Sequence, residues 1–367
     1  MYKKREKFKI ILIILVFAVY FFHIIVFIWI FMKNILVTGW TWYIGSHGVV
    51  SLIESGYRPV IVDNLSNSSV EVLKSIQKIT GVKPDFFEVD LRDYEGLSKV
   101  FDIYDFEAVI HFAWAKAVWE SCEMPFYYYE NNVLWSINLF DLMEQHECKK
   151  IIFSSSATVY DSIKKPPFIE TDPTWNTTNP YGTTKFLIEN ILKDLANYKD
   201  FQVVNLRYFN PIWAHKSGLI WENPNGIPNN LLPFIMKVVV WELKAVQIFW
   251  DDYDTKDGTG ERDYIHVLDL IEGHLKALQF IEKNKNQSGF FEAFNLGTGN
   301  ATTVKEMIQF TSELIREEVP FLIKPRRNWD LSSSFCNPKK AEEILGWKAN
   351  FSVKEAIEDS LNFIKNR

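Results

Sequence analysis

Glycine is scarce in this sequence. The chain has 367 residues and 16 glycines, against 13 tryptophans. That is about 4% glycine, where soluble proteins usually carry ~7%. Cysteine is scarcer still. Cys122, Cys148 and Cys336 form no CxxC pair and no metal-like cluster, which excludes a disulfide framework and implies reduced thiols. The seven histidines are scattered, with no HExxH or similar pair, so no metal is expected. Net charge is −6 and the signs are mixed; beyond the first nine residues there is no basic block or arginine-rich helix. A nucleic-acid surface is therefore not expected. The length allows a large core and one or two domains.

The first residues, "MYKKREKFK", are basic, and "IILIILVFAVYFFHIIVFIWIFM" follows as 23 residues interrupted only by His23. Such a run is long enough to span a bilayer and too long for a usual signal-peptide core. Two points count against an anchor. The basic flank would hold the amino terminus in the cytoplasm and send the rest outside, although the cysteines read as reduced, cytosolic thiols. The run also meets "KNILVTG" without a linker. The expectation is a cytoplasmic protein starting at Met32, with residues 1–31 an over-extended reading frame; the alternative is a membrane anchor through residues 10–32.

From Lys33, strand-like and helix-like segments alternate. "NILVT", "PVIVD", "DFFEV", "AVIHF", "KIIFS" and "QVVNL" read as strands, and "SVEVLKSIQKI", "FYYYENNVLWSINLFDLMEQH" and "TTKFLIENILKDLANY" as helices. The alternation predicts an α/β fold, a doubly wound parallel sheet of Rossmann type. After Asn210 the pattern breaks into loops rich in Asn, Pro and Asp. A dinucleotide-binding domain over 32–207 is expected, with "RDYIHV" and "EAFNLGTG" (near 262–296) returning to its sheet. Residues 208–367 mainly form a smaller C-terminal α/β substrate domain, whose cleft faces the carboxyl ends of the strands.

Between the first strand and helix lies "GWTWYIG", in which Gly39 and Gly45 take the outer positions of a G-x-x-G-x-x-G turn. The first lets the chain turn and the last lets the helix pack close. The middle position, where backbone must approach a pyrophosphate, is Trp42. Asp63 ends the second strand, 18 residues beyond Gly45, near the ~20 expected of a carboxylate that holds the adenosine ribose. An acid there favours NAD over NADP, because it repels a 2′-phosphate. Alone, Asp63 reads equally well as a turn-starting residue before "NLSNS". Further on, "IIFSSSATVY" precedes "NPYGTTKF". Tyr181 and Lys185 are four apart and share a helix face. An ammonium near a phenol favours the phenolate, and Ser156, at a strand end, can hydrogen-bond a substrate oxygen. A lone Y-x-x-x-K usually marks a solvated helix face. Here, after a fifth strand and with a dinucleotide turn upstream, Ser156, Tyr181 and Lys185 read as a proton relay for hydride transfer at an alcohol carbon.

From Met32 to Arg367 the chain resembles the extended short-chain dehydrogenase/reductases, and among them the UDP-glucose 4-epimerases. The likeness rests on "VIVDNLSNSS", "VIHFAWAKAVWES", "YYENNV", "FSSSATVY", "NPYGTTK", "LRYFNPIWAH", "NGIPNNLLP", "IFWDDYDTKDGTGERDYIHV", "NLGTG" and "LGWKA". It implies tightly bound NAD, a UDP-hexose substrate and inversion at the sugar C4 through a 4-keto intermediate. Tyr181 would take the 4-hydroxyl proton, Lys185 would hold the nicotinamide ribose and Ser156 the 4-oxygen. The resemblance further implies cofactor contacts from Gly39, Trp42, Tyr43, Ile44, Gly45, Asp63, Asn64, Asp90, Lys116, Asn131, Tyr181 and Lys185. Arg262 and Arg327 would bind the UDP diphosphate, with Asn210, Asn230 and Asp330 as further UDP-sugar contacts. Ser334 falls beside the sugar 2-substituent, where a small residue can admit UDP-N-acetylglucosamine and UDP-N-acetylgalactosamine. A homodimer joined through a helix bundle is implied as well.

The same family usually has glycine at Trp40, Trp42, Trp114, Trp119, Trp135, Trp213, Trp221, Trp241, Trp250 and Trp329; Trp175 is ambiguous, and Trp347 matches a genuine tryptophan. Random decay would also have struck Ser156, Tyr181 and Lys185. The pattern implies a TGA codon read as glycine by the source and rendered here as tryptophan. Ten more glycines would bring the 16 to 26, about 7% of the chain. Two other readings are carried. One is a nucleotide-sugar 4,6-dehydratase or decarboxylase, although dehydratases usually place acids just after the catalytic hydroxyl, where this chain has Ala157, Thr158 and Val159. The other is a non-catalytic nucleotide-binding protein, if the tryptophans are real.

Overall fold

Asn34–Thr38 (β1) sits in the middle of the molecule because its side chains feed two cores at once. Ile35 and Val37 belong to one apolar cluster and Leu36 to another on the opposite face. That alternation is what a strand covered on both sides requires. The computed structural model describes residues 32–39, 43–66, 69–212, 217–220, 228, 230–327 and 330–365. The hydrophobic extension, and Trp40, Trp42, Trp213, Trp221 and Trp329, lie outside the described residues. Among the described residues no helix is long and apolar enough to cross a membrane.

β1 runs through residue 39 to helix α1 (Tyr43–Glu54), followed by β2 (Arg58–Asp63), α2 (Glu71–Thr80), β3 (Asp85–Glu88), α3 (Tyr94–Ile103) and β4 (Phe106–His111). Helices α4 (Val118–Glu123) and α5 (Pro125–Tyr128) come next, then a π-helical turn (Tyr129–Leu134) running into α6 (Trp135–Gln145). β5 (Lys150–Ser156), α7 (Pro180–Lys199), β6 (Gln202–Tyr208) and β7 (Asn210–Ile212) follow. The seven-stranded sheet has the order β10-β6-β5-β4-β1-β2-β3, where β10 is Phe290–Leu296, and all its pairings are parallel. Strand order reverses at β1, so the crevice between β1 and β4 at their carboxyl ends is the switch point where such sheets bind ligands.

The remainder is α8 (Leu231–Val239), β8 (Val246–Phe249), β9 (Glu261–His266), α9 (Val267–Lys283), β11 (Ala301–Thr303), α10 (Val304–Ile315), β12 (Phe321–Lys324), β13 (Ser333–Ser334) and α11 (Val353–Lys365). Of the two segments expected to return to the large sheet, Phe290–Leu296 does so beside β6. "RDYIHV" does not. It forms β9, the centre of a smaller sheet with β11, β13 and β7. Its first residues, Glu261 and Arg262, are only half-buried, as suits a strand that starts at a ligand cleft rather than in a core.

Candidate active site

Gly39 turns the chain out of β1 with φ +70°, and its N–H donates to Val62 O at 3.0 Å. A Cβ there would lie 2.3 Å from Ala113 Cα, so the turn needs glycine on both conformational and steric grounds. Gly45 is buried on α1 and Ile44 packs against the core; Tyr43 opens the helix. Trp42 lies outside the described residues.

Across the crevice, β2 and β3 end in carboxylates. Asp63 Oδ1 accepts the Leu65 N–H at 2.8 Å, so the turn-starting role is present. Asp63 also lines the cleft with Asn64, Asp90 and Asn131. Asn64 Nδ2 donates to Asp90 Oδ2 at 2.7 Å, and Arg92 grips the same carboxylate through Nε (3.0 Å) and Nη2 (2.7 Å). Burial alone would raise the Asp90 pKa, but the hydrogen bonds from Arg92 and Asn64 outweigh it and hold the carboxyl below its usual value. Asn131 donates to Asn132 Oδ1 at 2.9 Å. Lys116 is half-buried in the segment after β4.

Two residues here were missed from sequence. Arg92 follows Asp90 by two positions after a strand end, which was a readable signal. Asn132 is buried: its Oδ1 accepts the Ala115 N–H, and its Nδ2 donates to Ala115 O and to Thr184 Oγ1, at 3.0, 3.0 and 3.1 Å. Thr184 Oγ1 donates to Tyr181 O at 2.7 Å. Asn132 thus ties the loop after β4 to the helix that carries Tyr181, and nothing in its local sequence announces that partner.

Ser156, Tyr181 and Lys185 lie at the end of β5 and in the first two turns of α7. Asn179 accepts the Gly182 N–H at 2.9 Å and Pro180 takes the first helical position, so α7 starts sharply and presents Tyr181 to the end of β5. Ser156 lies near enough to the Tyr181 phenol to pull its pKa down, and Thr158 Oγ1 donates to Ser156 Oγ at 3.0 Å. The electrostatics differ from expectation. Burial pushes the Tyr181 phenol up to about 12, against the opposing pull of Ser156. Lys185 is not directed at the phenol: its Nζ donates to Ser154 O at 2.6 Å and lies 3.3 Å from the centre of the Trp114 ring, against 5.7 Å from the Tyr181 ring. Burial lowers the Lys185 pKa well below its usual value, with Glu189 opposing. The indole has taken the space beside the ammonium. Its own Nε1 is buried without a partner, a cost of about 1–3 kcal/mol.

The cleft bounded by Gly39, Asp63, Asn64, Asp90, Asn131, Trp114 and Trp135 holds a cavity of about 90 Å³. Cofactor sites usually measure ~300–1,000 Å³. Trp114 and Trp135, the latter with Arg92 stacked 4.4 Å from its ring centre, are the two indoles in its lining.

On the other side of the cleft, Arg262 and Ser334 are cross-strand partners on β9 and β13. Asn210 pairs with Tyr264 of β9. Arg327 donates to Asp330 Oδ2 at 2.7 Å and packs 4.2 Å from the Phe249 ring centre, so these two expected ligand residues already form one unit. Asn230 is exposed at the N-terminus of α8.

A parallel sheet with a glycine turn and acidic strand ends at its switch point, and with serine, tyrosine and lysine gathered on the next strand and helix, defines a short-chain dehydrogenase/reductase. Residues 36–360 match the family model described as GDP-mannose 4,6 dehydratase. The chain is 49% identical over 327 residues to the UDP-glucose 4-epimerase of Bacillus subtilis (strain 168), covering 89% of this chain and 95% of that one. It is 47% identical over 337 residues to the bifunctional protein GAL10 of Pachysolen tannophilus, spanning 90% of this chain and 49% of that one. Its structure matches the UDP-glucose 4-epimerase of Bifidobacterium longum, solved with NAD+ and UDP, with a TM-score of 0.87 and 43% identity over 91% of this chain and 99% of that one. The chain belongs to the UDP-glucose 4-epimerase family.

Proposed function

We propose that the protein interconverts UDP-glucose and UDP-galactose, inverting the sugar C4 with NAD as a resident cofactor. The donor set suits a dinucleotide: a glycine turn with no room for a Cβ, carboxylates at the ends of β2 and β3, and Asn131 across from them. Among the described residues the misfit lies at Trp114 and Trp135. When bound, the nicotinamide supplies a hydride acceptor and donor. The chain's own residues manage the proton. Tyr181 takes it from the 4-hydroxyl and returns it to the 4-oxygen after the sugar has presented its other face, Ser156 hydrogen-bonds the 4-oxygen, and Lys185, once turned from Trp114 towards the phenol, favours the phenolate. Arg262 and Arg327 hold the diphosphate while the sugar swings.

The observation that carries this reading is the meeting of Ser156, at the end of β5, with Tyr181 in the first turn of α7, one helical turn from Lys185, at the carboxyl end of the sheet. The test is proton NMR of UDP-galactose incubated with the enzyme, in which UDP-glucose should accumulate to equilibrium. A 4-keto-6-deoxy product would overturn the reading in favour of a dehydratase. Against that alternative, the turn Ala157–Val159 after Ser156 carries no carboxylate to handle protons at C5 and C6. We also propose that the small Ser334 admits the N-acetylated sugars. Ser334→Tyr should remove activity on UDP-N-acetylglucosamine and spare UDP-glucose; equal loss of both would refute the assignment. A cytoplasmic homodimer completes the proposal.

A further inference from the structure

Trp347 shows what this fold does with a tryptophan that belongs: it is 1% exposed, and its Nε1 donates to Asp269 O at 2.7 Å. Four others behave differently. Trp241 and Trp250 have φ of +63° and +80°, a region that β-carbon sterics reserve largely for glycine. Trp241 follows the end of α8, where the Glu242 N–H reaches back to Lys237 O at 2.9 Å. That is the bond of a helix-ending motif in which this position is usually glycine, and the indole is left 75% exposed. Trp114 and Trp135 stand in the cofactor cleft. The first buries an orphan Nε1 against Lys185, and together they leave about 90 Å³.

We infer that the active molecule carries glycine at Trp114, Trp135, Trp241 and Trp250, and that the dinucleotide occupies the space the two cleft indoles take. One cause, a TGA codon read as glycine, accounts for all four positions. Removing the Trp114 side chain frees Lys185 to turn towards an incoming ribose and the Tyr181 phenol. Removing Trp135 frees the face of Arg92 beside Asp90. The inference rests on the cofactor reading above.

The deciding measurement is peptide mass spectrometry of the protein purified from its natural source. Glycine masses are expected at all four positions; tryptophan at 114 would overturn the inference. A second comparison uses two synthetic genes, one as written and one with glycine at these positions and the other six. The glycine form should release dinucleotide on denaturation in near-equimolar amount, and the written form less than about a tenth of that. A written form that carries full NAD overturns the inference and leaves the epimerase reading standing. A glycine form that holds NAD and leaves UDP-galactose unchanged does the reverse. If the written form fails to fold, the natural peptide masses decide alone.

Discussion

The catalytic roles proposed for Tyr181 and Lys185 need electrostatics that the two side chains do not yet have. The phenol sits at about 12 because burial disfavours its anion, and the Lys185 amino group is engaged by Ser154 O and the Trp114 ring. On the proposed mechanism Tyr181→Phe removes the proton carrier, so activity should fall ~10²–10⁴-fold while bound dinucleotide is retained; loss of both together would point to a folding defect. Trp114→Gly should act on the phenol. The rate rises with pH as Tyr181 deprotonates, and an ammonium released towards it lowers its pKa. The acid limb of kcat/KM should therefore move to lower pH; an unmoved or raised limb would contradict the argument. Asp90 titrates in the opposite setting. Its folded pKa lies below the ordinary value of about 4, so its contribution to stability is present above that value and fades as pH falls through the lower folded one. Urea midpoints of Asp90→Asn and parent should differ near neutral pH and converge in strong acid.

At the scale of elements, α8 ends on a tryptophan in a left-handed conformation. For an L-residue with a side chain this costs about 1–2 kcal/mol, so Trp241→Gly should stabilise the fold by roughly 1 kcal/mol despite glycine's greater unfolded entropy. Differential scanning calorimetry would register a rise in Tm, and a fall would show the backbone to be unstrained. Asn132→Leu should do harm without touching a ligand, because it leaves Ala115 N–H and C=O unpaired at about 1–3 kcal/mol each and loosens α7 from the cleft. The central strands of the large sheet, β1, β2, β4, β5 and β6, were readable because each is an apolar run with β-branched residues that both faces bury. The carboxyl-end acids and the Ser–Tyr–Lys set were readable because spacing places them. Asn132 was not, since its partner Thr184 lies 52 positions away. Nor was the departure of β9, because "RDYIHV" has strand composition in either sheet and only its partners, Asn210–Ile212, Ala301–Thr303 and Ser333–Ser334, distinguish them.

Seen whole, the molecule buries apolar residues on both faces of its sheet yet leaves several uncovered on the helices between residues 118 and 145. Phe126 is 87% exposed, Leu134 52% and Ile137 43%, and on the adjoining α7 Leu187 is also exposed. Leu134 and Ile137 are three apart and share a helical face. A soluble monomer rarely keeps a contiguous patch beyond a few hundred Å², and a second copy of the same helices is the occupant the family resemblance implies. A two-fold pairing of such faces is self-complementary, since each side chain meets its symmetry-related neighbours, and a stable one hides ~800 Å² per partner. Light scattering should therefore give a dimer mass for the glycine form. Leu134→Glu with Ile137→Glu should give a monomer, because two carboxylates per copy would be buried against apolar partners. A parent that is monomeric at micromolar concentration, or a double variant that stays dimeric, would place the interface elsewhere or nowhere.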